Sequence, residues 1–198
     1  MRVIAGIARG QILAAPKGLK TRPTGDRMKE DLFNILAPLV EDAKFLDLYC
    51  GSGAMGIEAL SRGAAEAVFV DVSKEALLVC EANLKKVGLC DAELLCMTGL
   101  GAVKELSRRL ANKELANRKF DIIFMDPPYD STELVPVLEF IDQSLNRDNG
   151  LTPLIDHKGI VVAECPSDYT PPELYYMELY RRKKYTQMQF LFYRSILL

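Results

Sequence analysis

The chain has 198 residues, 49% of them hydrophobic and 26% charged, which is the size of one domain and apolar enough for a sizeable core. It contains no run of about 18 apolar residues, and Met1-Arg2-Val3-Ile4-Ala5-Gly6 lacks the long apolar core of a signal peptide, so no membrane span is indicated and a cytoplasmic location is expected. The net charge of −2 speaks against nucleic-acid binding driven by overall charge, and five cysteines without a C-x-x-C pair, with a single histidine (His157), offer neither a disulfide framework nor a zinc site.

The charge is unevenly placed. Residues 1–30 hold seven basic and two acidic side chains, a balance of +5, which leaves −7 for the rest. A basic end on an acidic body suggests a local anionic contact such as RNA phosphate, with Arg2, Arg9, Arg22 and Arg27 as candidates. In the same stretch, Arg2 to Ala8 and Gln11 to Ala15 read as two short strands turning at Arg9-Gly10. A loop follows, and Thr24 or Asp26 can cap a helix with an apolar stripe from Met28 to Leu39 that Pro38 is expected to end.

From residue 45 strands and helices alternate. Strands are expected at Phe45–Tyr49, Ala67–Val70, Ala92–Met97, Phe120–Met125 and Gly159–Glu164. Helices are expected at Ala54–Ser61, from a Ser73 cap to Val87 with Gly88 beyond, at Val103–Ala116, and at Leu134–Leu145. Residues 146–158, with His157, read as a loop, and the tail as two long strands, about Leu174–Arg182 and Gln187–Ile196, around a basic turn at Lys183-Lys184. The expected fold is α/β: a doubly wound Rossmann-like sheet ending in an antiparallel hairpin, with residues 1–40 as a small β-hairpin and helix extension of a single domain, 1–198.

In open α/β sheets ligands bind beyond the carboxyl ends of the strands. Three groups fall there: Asp47-Leu48-Tyr49-Cys50-Gly51-Ser52-Gly53, then Asp71, then Asp126-Pro127-Pro128-Tyr129. Because the first and fourth strands are neighbours in the doubly wound order, these groups are expected to line one crevice. Gly51, Gly53 and Gly56 match G-x-G-x-x-G, and Asp71 stands 20 residues after Gly51, where a carboxylate can accept hydrogen bonds from ribose hydroxyls. Those features fit a dinucleotide or any adenosine-bearing ligand, so a nicotinamide-dependent oxidoreductase is one reading. Asp47 favours another, because a carboxylate before the glycine turn suits a ligand with a positive amino group, such as S-adenosylmethionine. At the fourth exit, the Asp126 side chain and the carbonyls beside Pro127 and Pro128 can accept hydrogen bonds from an exocyclic NH2, and Tyr129 offers a face for stacking. Such a ledge suits methyl transfer to a planar amine: guanine N2, adenine N6 of DNA or RNA, or a protein glutamine.

Asp47 to Gly53 resembles the first motif of S-adenosylmethionine-dependent methyltransferases, which implies cofactor contacts by Asp47, Tyr49, Gly51, Ser52 and Gly53. Asp126 to Tyr129 resembles their [Asn/Asp]-Pro-Pro-[Tyr/Phe] motif for exocyclic amines. Met1 to Gly6, Thr21-Arg22-Pro23-Thr24, Lys29 to Leu36 and Gly56 to Ala64 resemble the bacterial RsmD family. That resemblance implies methylation of guanine N2 in small-subunit ribosomal RNA; because the +5 arm is small, a structured target is expected, such as an assembled or partly assembled ribosomal subunit, and the single histidine leads to the expectation of no metal. Two positions depart from the family pattern. Asp71 replaces the usual Glu, and Met97-Thr98-Gly99-Leu100-Gly101 lacks the usual acidic residue toward adenine, which leaves Thr98 or a backbone carbonyl for that contact.

Overall fold

The computed structural model describes residues 1–16, 25–112 and 119–197. Arg22 therefore lies outside the described residues. The chain forms two compact units, Met1–Met97 and Thr98–Leu198. The strands of each unit belong to a seven-stranded sheet.

The first unit contains α1 (Asp26–Val40), β1 (Lys44–Leu48), α2 (Ala54–Ser61), β2 (Glu66–Asp71), α3 (Lys74–Val87) and β3 (Ala92–Cys96). All three strands are parallel. Every side chain of β1 is buried, as expected of a central parallel strand covered on both faces. Helix α1 buries Leu32, Phe33, Leu36 and Val40 and runs through Pro38. Pro38 forgoes the bond to the Asn34 carbonyl, and burial of Val40 holds the last turn in place.

The N-terminal hairpin is shorter than the sequence suggests. Its antiparallel pairing is one bridge, Arg2 to Ile12, rather than two strands. Val3, Gly10 and Leu13 N–H still bond across the arm, to the Gln11, Val3 and Met1 carbonyls, but Ile4 and Ala5 N–H donate to the Glu58 carboxylate and Ile7 N–H to the Ser61 carbonyl, so beyond Val3 the arm turns from its own partner strand to α2. At Gly6 a Cβ would fall 1.7 Å from the Ser61 carbonyl oxygen, which shows how closely the backbones approach.

The second unit contains α4 (Gly99–Ala111), β4 (Phe120–Met125), α5 (Leu134–Ser144), β5 (Ile155–Pro166), β6 (Met177–Lys184) and β7 (Met188–Ser195). β4 and β5 are parallel, while β7 is antiparallel to both β5 and β6. Helix α4 begins four residues before its expected start because the Thr98 hydroxyl caps it, accepting from Gly101 N–H. Strand β5 begins at Ile155, so His157 lies in a strand, exposed and 2.7 Å from Asp156. Strand β6 starts three residues later than expected: Tyr175, Tyr176 and Met177 N–H all converge on the buried Asp142 carboxylate of α5, which fixes the entry to the strand.

Candidate active site

The glycine turn leaves β1 through Tyr49, a half-buried residue with φ of 66°, a conformation uncommon outside glycine and concentrated at functional sites. Gly51 follows with φ of 54°, and a Cβ there would meet nothing within 4 Å. Gly51 is thus the position in the turn that lies open to a ligand. Gly53 and Gly56 have a different physical reason: a Cβ would fall 2.4 Å from the Cys80 sulfur at Gly53 and 2.3 Å from the Phe69 ring at Gly56. These two are glycines because α2 packs directly on β2 and α3.

Both aspartates of this half hold the turn. Asp71 accepts from Gly51 N–H at 2.9 Å and from Ser73 N–H at 2.8 Å, one bond per carboxylate oxygen. Each oxygen keeps a further lone pair, so acceptor capacity for a hydroxyl remains. Asp47 is 1% exposed and accepts from Gly56 N–H at 2.9 Å. It therefore braces the start of α2 from inside the turn. Ser52 is buried beneath the turn, and its carbonyl accepts from the Asn83 amide at 2.9 Å. The Cys50 thiol is held protonated, chiefly by its hydrogen bond with Cys80 and then by burial, so it supplies no nucleophile.

The second half holds the other predicted groups. Met125 is fully buried, Asp126 half-buried, Pro127 buried, and Pro128 and Tyr129 exposed, so the ledge rises to the surface within a few residues. Tyr129 is 57% exposed. Burial pushes the Asp126 carboxyl up to about 7. The sequence implies a carboxylate of ordinary strength there; the structure makes it a far better proton acceptor at neutral pH. Thr98 is exposed, with its hydroxyl engaged in capping α4.

Of the candidate RNA-binding arginines, Arg9 and Arg27 are exposed, whereas Arg2 is drawn to Asp26 at 2.9 Å. Two residues that hold this region were not singled out from the sequence. Glu58 is fully buried and joins Lys29 at 3.2 Å, Arg62 at 2.7 Å and the Ile4 and Ala5 N–H groups. Its signal was available, as the only acid in the apolar run Ala54 to Ser61. Asn83 is 1% exposed, pairs with both Ala14 N–H and the Ala14 carbonyl, and also supports Ser52. Nothing in the polar face of an ordinary helix distinguishes it beforehand.

Comparison with known proteins agrees with this fold. The family described as Conserved hypothetical protein 95 matches residues 1–194. YlbH of Bacillus subtilis (strain 168) is 36% identical over 87% of this chain and 86% of its own length. The Ribosomal RNA small subunit methyltransferase D of Haemophilus influenzae is 36% identical over 65% of this chain, an alignment that spans 64% of that protein. The structure of yhhF from Escherichia coli superposes with a TM-score of 0.81 at 28% identity, covering 98% of this chain and 97% of that one. The strand order, the methyltransferase-type sheet and the match over almost the whole sequence place the chain in the Conserved hypothetical protein 95 family, to which the RsmD methyltransferases belong.

Proposed function

We propose that this protein transfers a methyl group from S-adenosylmethionine to the exocyclic N2 of a guanine in small-subunit ribosomal RNA. The observation that carries the reading is the Asp126-Pro127-Pro128-Tyr129 ledge at the exit of β4, with its raised carboxyl and exposed ring. The names of the family relatives, which include small-subunit ribosomal RNA methyltransferases, support the RNA substrate. Family membership also speaks against the oxidoreductase reading.

The residues of the glycine turn fit the donor. Gly51 leaves open the space where a side chain would stand, and Asp71 retains lone pairs for ribose hydroxyls. When bound, S-adenosylmethionine supplies an electrophilic methyl on a sulfonium, so the protein has to contribute position and electrostatics. The guanine N2 lone pair is delocalised into its ring and is a poor nucleophile. The Asp126 carboxylate and the Pro127 carbonyl accept hydrogen bonds from that NH2 and aim the nitrogen. As the N–C bond forms and the C–S bond breaks, N2 gains positive charge and passes its proton to Asp126. A carboxyl near 7 is matched to that task at neutral pH. Tyr129 stacks on the base, an interaction worth about 1–3 kcal/mol, against a cost of a few kcal/mol for taking the base out of its stack.

The test uses small ribosomal subunits from cells lacking this protein, labelled methyl donor, and mapping of the modified base. Wild type is expected to label one guanine at N2. Asp126→Ala is expected to bind S-adenosylhomocysteine as wild type does and to transfer no methyl. Full transfer by that variant, or label on adenine or protein, would overturn the assignment.

A further inference from the structure

We propose that the free edge of β6 is a second RNA-contact surface, gripping phosphates through Arg181, Arg182, Lys183 and Lys184. The RNA as occupant rests on the proposed function; the surface itself rests on the following geometry. Strand β6 ends the sheet order, so one side of it is an edge. The β6–β7 hairpin, residues 177–195, carries five basic side chains and one acid, a local balance of +4 in a chain whose total is −2. Its one acid is already spent: Glu178 pairs with Arg194 at 2.7 Å. Arg62, Arg108 and Arg109 elsewhere also sit on carboxylates. Arg181, Arg182 and Lys184, by contrast, are exposed and make no ion pair among the described residues.

The register distributes these charges along the strand. Arg181 and Lys183 stand opposite Phe192 and Phe190, and Arg182 and Lys184 opposite Leu191 and Gln189. Each face of the edge therefore carries two cations, about 6.6 Å apart. Aromatic rings lie beneath two of the charged groups, with the Arg181 guanidinium 5.9 Å from the Phe192 centroid and the Lys183 ammonium 5.6 Å from that of Tyr185. A cation resting on a ring keeps its charge, and cations that bind phosphates release the counterions condensed on the polyanion. A row of point charges without a shaped pocket suits backbone contact rather than base reading.

Edge strands also carry lysine and arginine simply to block pairing with other chains, and the experiment separates the two roles. Binding of purified small ribosomal subunits is measured over a range of salt for wild type, for R182Q/K184Q, which removes two charges, and for R182K/K184R, which keeps them. Removing both charges is expected to weaken binding at least tenfold at low salt and to make the slope of log K against log salt shallower by roughly 1.4 to 1.8, the value for two lost phosphate contacts. R182K/K184R should keep the wild-type slope. Affinity for S-adenosylhomocysteine and kcat at saturating subunits should be unchanged, with the loss confined to KM. An unchanged slope in R182Q/K184Q, with or without new self-association, overturns the proposal and assigns the cations to edge protection. Equal weakening in both variants overturns it as well. A wild type that binds subunits but neither S-adenosylhomocysteine nor methyl label would sink the proposed reaction while leaving the salt-slope result to decide this surface.

Discussion

Asp126 follows four consecutive buried residues, Ile122 to Met125, and inherits part of their dry surroundings. That burial raises its carboxyl to about 7, with two measurable consequences. Methyl transfer should rise with pH through about 7 as the carboxylate forms, and a pH profile of kcat/KM checks this. Stability should move the opposite way. The folded state favours the protonated form, so the contribution is fully present below the ordinary carboxylate value and is lost as pH rises to about 7. Asp126→Asn carries no charge at any of these pH values. Its Tm should therefore exceed that of wild type by more at pH 8 than at pH 5, and an equal gap at both would show that the carboxyl is not buried as described.

At the scale of elements, the N-terminal arm, α1 and α2 meet on one carboxylate. Glu58 holds two arm N–H groups, the Lys29 ammonium and the Arg62 guanidinium, while Lys29 Nζ also donates to the Arg2 carbonyl at 2.7 Å. Burial lowers the Lys29 pKa, and Glu58 opposes that shift. Glu58→Gln removes the charge that compensates a buried lysine, so the expected loss is about 3–5 kcal/mol, read as a fall in the urea midpoint. A loss below about 1 kcal/mol would mean that water reaches Lys29. The same arm presents Arg9 to solvent, so a firm anchor on α2 also fixes where that proposed RNA contact stands.

At the scale of the whole molecule, ligand binding should register as stability. A donor analogue held only by the folded chain, at 100 times its Kd, adds about 2.7 kcal/mol. For a chain of this size that corresponds to roughly 5–10 °C in Tm. S-adenosylhomocysteine should give such a shift and NADH none. The reverse result would restore the dinucleotide reading of the glycine turn.

Several levels were legible in the residues alone. The alternation of apolar runs with capped helices placed all seven strands, and β4 and α2 within their observed bounds, because burial and capping are local demands written at fixed spacing. The glycine turn and the Asp-Pro-Pro-Tyr ledge were likewise legible, because close backbone approach and rigid turns require particular residue types. Other roles were settled by contacts between residues far apart in the chain. Asp47 turned inward to Gly56, Glu58 gathered the arm, Asn83 tied Ala14 to Ser52, and burial altered the acidity of Asp126. Hydrogen-bond partners and desolvation are properties of the space around a side chain, and only the folded chain creates that space.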